Sequence, residues 1–357
     1  MHNKKTIGIV IRSLKIGGAE KQSVLLAKAL ASHYRVYLFI QYPIIEPQLN
    51  NYIKDSNIQL NILKGNFFQK FKTLKYHIRE SHITHLFAYL SSDNVLAALA
   101  AFQNKNCKVF GGIRSSQLPW HKYIVLKLLH RSLQEATIFN NHSGRNHFLK
   151  KGFKTSKSIV IPNCTDFKGI TTQNESNNDS ITIISVGRFV PAKDYPTSIE
   201  AIKLLVAQEQ KVKIKYIIIG FGELELEIRN LISSNKLSKH IEVVINPDNL
   251  KDYYKKADIY LCSSEFEGLS NSIMEALSYQ LPVIASHVGD NPQLVKHNHN
   301  GFLIPKGDAE AFSKAILQLY YDKEKRLSLG LQGLKLLQQN YSTQKFTDRY
   351  ISLIEQT

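Results

Sequence analysis

Short β-branched apolar runs alternate with longer amphipathic segments along most of this chain. The short runs predict buried strands, and the longer segments, with apolar residues every three or four positions, predict helices. In the first half the predicted strands are Ile7–Ile11, Val36–Ile40, Ile58–Leu63, His85–Phe87, Lys108–Gly111, Thr137–Phe139 and Ser158–Ile161. The helices predicted between them include Ala19–Ala31, Asp93–Phe102 and Trp120–Leu133. This alternation is typical of parallel sheets with crossover helices.

The same pattern starts again in the second half. The predicted strands there are Ile181–Val186, Ile214–Ile219, Glu242–Ile245, Ile259–Leu261, Val283–Ala285 and Phe302–Ile304, and the chain from Ala309 onward is predicted to be helical. A segment rich in Ser, Asn and Thr around residues 170–180 has the composition of a linker. The length of 357 residues also suits two domains. We therefore predict two α/β domains, over residues 1–165 and 175–338.

Neither a membrane span nor a disulfide framework is expected. No apolar run approaches the roughly 20 residues that cross a bilayer, and the run ending at Arg12 is too short for a signal peptide and is predicted to be a buried strand. Cys107, Cys164 and Cys262 are few, widely spaced and odd in number. They favour a reducing cytoplasm and predict no metal site.

The net positive charge of the chain is confined to its first half. Residues 1–167 hold 24 Lys and Arg against 7 Asp and Glu, a net charge of +17, whereas residues 168–357 hold 22 of each. A one-sided field indicates a partner bound by that side, such as nucleic acid, anionic lipid or a phosphate-bearing acceptor. No known nucleic-acid motif accompanies the charge, so nucleic acid is disfavoured.

Two basic stretches interleave cations with aromatic and apolar residues, Asn66–Arg79 and Trp120–Arg131. Both suit a membrane interface, with Lys70, Lys72 and Lys75 facing anionic lipid. The alternative is that both apolar stripes cover the sheet instead.

The segment Ser263–Leu277 carries two carboxylates around a predicted helix start at Ser270. Glu267 precedes the helix and Glu275 lies more than one turn inside it. Backbone amides at a helix start bind phosphate, and carboxylates accept hydrogen bonds from sugar hydroxyls. The alternative is that Glu267 only caps the helix and Glu275 is a solvated surface residue.

Two further loops are of interest, each after the first predicted strand of one half of the chain. Arg188 and Lys193 lie on the loop after Ile181–Val186, where two cations can clamp a diphosphate. Gly17 and Gly18 follow Ile7–Ile11 and allow a phosphate or sugar to approach the backbone closely. Surface cations are usually solvated and paired glycines are common in tight turns, so each loop is only supporting evidence.

Together these loops resemble glycosyltransferase family 4, over residues 7 to about 320. The features that carry the resemblance are Gly17-Gly18-Ala19-Glu20, Gly187-Arg188 with Lys193, Glu267-x7-Glu275, and Leu281-Pro282-Val283-Ile284-Ala285. The resemblance implies a GT-B fold, with two Rossmann-like domains facing each other across a cleft. It also implies retaining, metal-independent transfer without a cofactor, and a last helix (343–357) packed back on the first domain.

The resemblance also implies roles for individual residues. Arg188 and Lys193 resemble the diphosphate clamp, Glu267 the sugar-binding carboxylate and Glu275 the ribose-binding one. The remaining donor contacts would come from the residues Gly17, Gly18, Ile245, Gly268, Leu269, Ser270 and Asn271.

Two departures from the family pattern concern the reacting sugar. Where many relatives have a histidine after the fifth strand, this chain has Gly111–Ser116, so Arg114 is the expected catalytic replacement and His121 the alternative. Where relatives often have Gly-Gly-x-Pro-Glu, this chain has Val288–Gln293 and lacks that glutamate.

The expected function is transfer of a hexosyl or N-acetylhexosaminyl unit from a UDP-linked sugar to a lipid-linked or polysaccharide acceptor. The setting would be envelope polysaccharide synthesis at the inner face of a bacterial membrane. Two alternatives are a GT-B nucleotide-sugar epimerase and a non-catalytic sugar-nucleotide-binding protein. A dehydrogenase is disfavoured because Gly220-Phe221-Gly222 lacks the third glycine of the dinucleotide motif.

Overall fold

A computed structural model describes residues 5–15, 17–54, 56–115, 118–165, 180–209 and 211–357. Most of the predicted linker, together with Ile16 and Ser116, lies outside the described residues. The chain divides into two compact units. Unit 1 comprises Met1–Cys164 with Thr343–Thr357, and unit 2 comprises Thr165–Ser342.

Unit 1 is built on a parallel sheet in the order β3-β2-β1-β4-β5-β6-β7. Its strands are β1 Thr6–Ile11, β2 Arg35–Ile40, β3 Ile58–Ile62, β4 His85–Ala88, β5 Lys108–Ile113, β6 Ala136–Phe139 and β7 Ser158–Val160. Its helices are α1 Gly18–Ala31, α2 Pro47–Ile53, α3 Phe67–Glu80, α4 Ser91–Ala101, α5 Trp120–Ser132 and α6 His142–Lys150, with a short 3-10 helix at Thr155–Lys157.

Unit 2 repeats the design in the order β10-β9-β8-β11-β12-β13, again all parallel. Its strands are β8 Ile181–Arg188, β9 Ile214–Phe221, β10 Ile241–Ile245, β11 Ile259–Cys262, β12 Val283–Ser286 and β13 Gly301–Ile304. Its helices are α7 Tyr195–Gln208, α8 Glu225–Ser234, α9 Leu250–Lys256, α10 Asn271–Ser278, α11 Asn291–Leu294, α12 Ala309–Tyr321 and α13 Lys323–Tyr341, with a 3-10 helix at Pro191–Lys193.

The strands expected from the hydrophobic pattern are all present, with ends that differ by at most two residues. The central strands are recognisable because their apolar residues are buried on both faces of a covered sheet; β1, for example, is buried at every position. The C-terminal stretch is helical as predicted, and its last helix, α14 (Thr343–Gln356), belongs to unit 1. Its Tyr350 is buried in the unit 1 core and packs edge-on against Phe87.

The strand order creates a switch point in each sheet. The chain leaves β1 in one direction to β2 and later returns to the other side of β1 as β4; in unit 2, β8 stands in the same way between β9 and β11. In open parallel sheets ligands bind outside the carboxyl ends of the strands at such a point. A ligand of unit 2 is therefore expected to bind at the loops that follow β8 and β11.

Candidate functional site

Two loops far apart in sequence meet at the switch point of unit 2. The Ser263 hydroxyl, just after β11, donates to the backbone oxygen of Asp194 at 2.7 Å, and the Glu265 N–H donates to the oxygen of Ala192 at 3.0 Å. Asp194, with φ of 45°, is the N-cap of α7: its carboxylate accepts the Thr197 N–H at 3.3 Å and the Thr197 hydroxyl at 2.6 Å. These bonds fix the two loops to each other.

Lys193 and Glu267 form an ion pair where these loops meet. Lys193 Nζ lies 2.5 Å from Glu267 Oε1, and the Ser264 hydroxyl donates to the same oxygen at 2.8 Å. The side chains of Lys193 and Glu267 are only 22% and 10% exposed. The alternative in which Glu267 merely caps a helix is wrong, because Ser270 caps α10 by accepting the Ile273 N–H.

The pair concentrates charge at one point. Burial is the largest single influence on the pKa of Lys193 and lowers it, but Glu267, through its charge and its hydrogen bond, and Cys262 together raise the pKa more. The pKa therefore lies above its ordinary value and the amine remains protonated. The Arg188 charge acts on the same amine in the opposite direction, which places both cations within electrostatic reach. Burial, together with Glu267, raises the pKa of the adjacent Cys262 to about 11, so this residue remains a neutral thiol.

Two glycines leave room for the pair. A Cβ on Gly289, whose φ is +53°, would lie 1.8 Å from the backbone oxygen of Glu267. A Cβ on Gly187 would lie 3.2 Å from Lys193 Cε, which is tighter than ordinary contact. The loop Val288–Gln293, which departs from the family pattern, therefore packs directly against Glu267, while Gln293 itself is exposed.

Glu275 lies within α10 and contacts one of three stacked tyrosines. The Tyr254 hydroxyl donates to Glu275 Oε2 at 3.3 Å, so Glu275 is not simply a solvated surface residue. Tyr254 is buried and stacks on Tyr279 at 5.3 Å and on Tyr260 at 6.2 Å. The sequence analysis missed these tyrosines; their only signal was an aromatic residue on each of three consecutive elements.

The other predicted donor contacts of unit 2 lie along the same edge of the sheet. Arg188 ends β8 and is exposed, and Ile245 ends β10 and is 39% exposed. Gly268 and Leu269 connect Glu267 to the α10 cap, Ser270, and Asn271 is the first residue of that helix.

A hollow of about 270 Å³ is lined by residues of the loop that carries Lys193, of α7 and of α8. Asp194, Glu227 and Glu265 lie on its lining. Three acidic side chains would repel a phosphate, so we place the candidate site at the Lys193–Glu267 pair and not in this hollow.

In unit 1 the predicted residues follow β1 and β5. Gly17 is the N-cap of α1 and Gly18 its first residue, and a Cβ on Gly17 would lie 2.2 Å from the Glu20 carboxylate. Arg114 follows β5 directly, and its guanidinium lies 4.4 Å from the centre of the Tyr89 ring. The alternative residue, His121, is exposed on the first turn of α5 beside Trp120.

Two features are absent from the part of the chain that the structure describes. No group of three or more His, Cys, Asp or Glu side chains is arranged to hold a metal ion. No helix among these residues is long and apolar enough to cross a membrane.

The two units, each built on a parallel sheet covered by helices, have the architecture of the GT-B fold. The family model named "Glycosyl transferases group 1" matches residues 166–335 of this chain.

The chain is similar to several proteins that are named as glycosyltransferases. The chain is 34% identical to the amylovoran biosynthesis glycosyltransferase AmsK of Erwinia amylovora, over 39% of this chain and 36% of AmsK, so only about a third of that relative is matched. It is 25% identical to the N-acetylgalactosamine-N,N'-diacetylbacillosaminyl-diphospho-undecaprenol 4-alpha-N-acetylgalactosaminyltransferase of Campylobacter jejuni, over 90% of this chain and 91% of the relative. The structure of HepE of Anabaena, in complex with UDP and glucose, superposes with a TM-score of 0.82 at 17% identity, over 99% of this chain and all of HepE.

Proposed function

We propose that this protein is a retaining glycosyltransferase that transfers a hexosyl or N-acetylhexosaminyl unit from a UDP-linked sugar. The acceptor is either a lipid-linked saccharide or a polysaccharide of the bacterial envelope. The observation that carries the proposal is the Lys193–Glu267 pair beside Arg188 at the switch point of unit 2. The printed names of the relatives support it, since the Campylobacter jejuni enzyme is named for a diphospho-undecaprenol-linked substrate and HepE was solved with UDP.

The proposed mechanism depends on the negative charge that develops on the leaving UDP during sugar transfer. As the bond between the anomeric carbon and the phosphate oxygen breaks, the leaving UDP gains negative charge, which Arg188 and Lys193 stabilise. The acceptor oxygen forms its new bond on the same face of the sugar, and its proton passes to the leaving phosphate. Glu267 accepts hydrogen bonds from sugar hydroxyls and Glu275 from ribose hydroxyls, which orients the donor before the reaction. This scheme uses neither a metal ion nor another cofactor.

The proposal is tested by measuring donor binding and turnover together. UDP-, GDP- and dTDP-linked hexoses and N-acetylhexosamines are first compared by thermal shift, because a ligand of the folded state raises Tm. At least one UDP-sugar is expected to raise Tm, and to release UDP only when bacterial membrane extract supplies an acceptor. Turnover of the sugar nucleotide without an acceptor would favour the epimerase. Binding without UDP release in any extract would favour a non-catalytic protein, and a Tm unmoved by every nucleotide sugar would contradict the proposal.

We further propose that unit 1 binds the anionic inner face of a membrane, which would place the protein peripherally at a cytoplasmic surface. Helix α4 contacts both α3 and α5, so the three helices form one side of the unit. Together they expose nine large apolar side chains, at 39–75% of full exposure: Phe67, Phe68, Tyr76, Leu99, Phe102, Trp120, Ile124, Val125 and Leu128. We call this set the apolar face. Aromatic residues beside lysines are typical of helices that lie in a membrane interface.

The structure corrects the expected role of one lysine. Lys70 is buried, with its amine 3.9 Å from the centre of the Tyr42 ring, so it does not face lipid. Lys72 and Lys122 are exposed on α3 and α5. The apolar residues of α5 divide between the two uses. Leu126 and Leu129 lie in the core with Tyr123 packed against it, whereas Trp120, Ile124, Val125 and Leu128 are exposed.

Charge reversal tests the membrane proposal. Lys72→Glu with Lys122→Glu is expected to weaken sedimentation with phosphatidylglycerol vesicles about tenfold or more, since each lysine near such a surface contributes about 1 kcal/mol. The control reverses the same number of exposed lysines elsewhere, Lys28→Glu with Lys213→Glu. Equal weakening by both pairs would reflect net charge alone and would contradict the assignment to this face.

A further inference from the structure

A close approach between two strands of unit 1 positions Arg114. A Cβ on Gly112 would lie 2.4 Å from the Ala88 oxygen, so only glycine lets the end of β5 run this near to the end of β4. The Asn94 side chain on α4 donates to the Gly112 oxygen at 2.8 Å, which connects this helix to the end of β5. Two residues later, the guanidinium of Arg114 lies against the ring of Tyr89, which directly follows β4.

Tyr89 gives Arg114 a rigid support. It is 1% exposed, and its hydroxyl donates to the backbone oxygen of Gln22 on α1 at 3.2 Å. Gln22 in turn bonds Cys164 twice, through its side-chain nitrogen to the Cys164 oxygen at 2.7 Å and through its side-chain oxygen to the Cys164 N–H at 3.0 Å. These bonds connect Tyr89 to α1 and, through Gln22, to the segment after β7. They fix the ring against which the Arg114 guanidinium lies.

Two of the three guanidinium nitrogens of Arg114 have no hydrogen-bond partner among the described residues. These two atoms, Nε and Nη1, are both buried. Buried polar groups are nearly always hydrogen-bonded, and a buried charge without a partner is unfavourable. A rigidly positioned cation with unused hydrogen-bond donors is therefore well suited to bind an anion.

We propose that Arg114 is a phosphate-binding residue of unit 1 that receives a phosphate group of one of the two substrates. The guanidinium presents its donors in a planar fork that matches two phosphate oxygens, and a neutral sugar hydroxyl would not compensate its charge. The confinement of the net charge of +17 to residues 1–167 supports an anionic ligand in this unit. That the phosphate belongs to a glycosyl-transfer substrate rests on the proposed function; the anion site itself does not.

Inorganic pyrophosphate is the probe, titrated calorimetrically. Because Arg188 is the proposed clamp of unit 2, the titrations use an Arg188→Gln background. Adding Arg114→Gln is expected to weaken the remaining pyrophosphate binding about 10- to 100-fold, the effect of losing charge-assisted hydrogen bonds. Arg114→Lys keeps the charge but loses the fork, so intermediate binding is expected.

The matched control is Arg35→Gln. Arg35 also lies over a tyrosine, 5.3 Å from the Tyr37 ring centre, but it begins β2 at the opposite, amino-terminal edge of the same sheet. Its loss is expected to leave pyrophosphate binding unchanged. Circular dichroism and Tm identify any variant that fails to fold. Pyrophosphate binding that is equal with and without Arg114 in folded protein would overturn the proposal.

Titration of UDP into the single Arg114→Gln variant identifies the source of the phosphate. Weakened UDP binding assigns Arg114 to the donor diphosphate, and unchanged UDP binding with lost pyrophosphate binding assigns it to a phosphate of the acceptor. If no nucleotide sugar binds the wild-type protein, the proposed function fails. The pyrophosphate difference between Arg114 variants still decides the anion site in that case.

Discussion

Replacing Lys193 with methionine is expected to lower kcat/KM for sugar transfer about 100- to 1000-fold, the usual effect of removing one preorganised group that stabilises developing charge. Methionine keeps most of the side-chain volume but cannot offset the charge of the leaving UDP. Steady-state rates of UDP release, with donor and acceptor varied in turn, measure the change. A variant within threefold of the wild-type rate would remove Lys193 from the proposed mechanism.

The same substitution is expected to destabilise unit 2. It leaves the Glu267 carboxylate buried without its cation, which typically costs about 3 kcal/mol or more. Adding Glu267→Gln removes the uncompensated charge, so the double variant is expected to recover most of the lost Tm. Its activity is expected to stay low, because the cation is still missing. Recovery of activity along with Tm would mean that Lys193 acts only through folding.

Replacing Glu275 with alanine is expected to raise the donor KM about 100-fold, which corresponds to two charge-assisted hydrogen bonds to a ribose. The loss should appear equally in the Kd of UDP, since the ribose belongs to the nucleotide. Isothermal titration with UDP and steady-state kinetics provide the two measurements.

The control for this variant is Tyr254→Phe. It removes the hydroxyl that donates to Glu275 at 3.3 Å but keeps the ring stacked on Tyr279. A UDP affinity lowered less than tenfold is expected, because the carboxylate remains. If Tyr254→Phe weakens UDP as strongly as Glu275→Ala, the glutamate acts by supporting the tyrosines and not by binding ribose.

Much of the candidate site in unit 2 could be placed from local patterns. Ser270, eight positions after the end of β11, has the residue type of a helix cap, and α10 begins at the next residue. This put Glu267 before the helix and Glu275 inside it. Arg188 was expected just beyond a strand, and the structure makes it the last residue of β8, because the strand extends two residues past the apolar run.

The pairings were not visible in the sequence. Lys193 and Glu267 are 74 positions apart, and no periodicity shows that their side chains meet. The same holds for Tyr254 beneath Glu275 and for Tyr89 beneath Arg114. Such contacts depend on which strands become neighbours, and many strand orders are compatible with one hydrophobic pattern.

Exposure was the other quantity that the sequence left open. Lys70 looked like its neighbours Lys72 and Lys75, yet it is buried against Tyr42 because α3 turns that position towards β2. The apolar residues of α5 looked like a core stripe, yet Trp120 is 75% exposed.

The sequence by itself determined the strands, the helices, their parallel arrangement and the segregation of charge into residues 1–167. These follow from local burial patterns and from composition, which each segment carries independently of its neighbours. Only the tertiary structure decided which side chains share a site, which cations are paired and which apolar residues remain exposed. Each of these depends on the order of strands in a sheet and on the rotation of each helix against it, which packing of the whole unit sets.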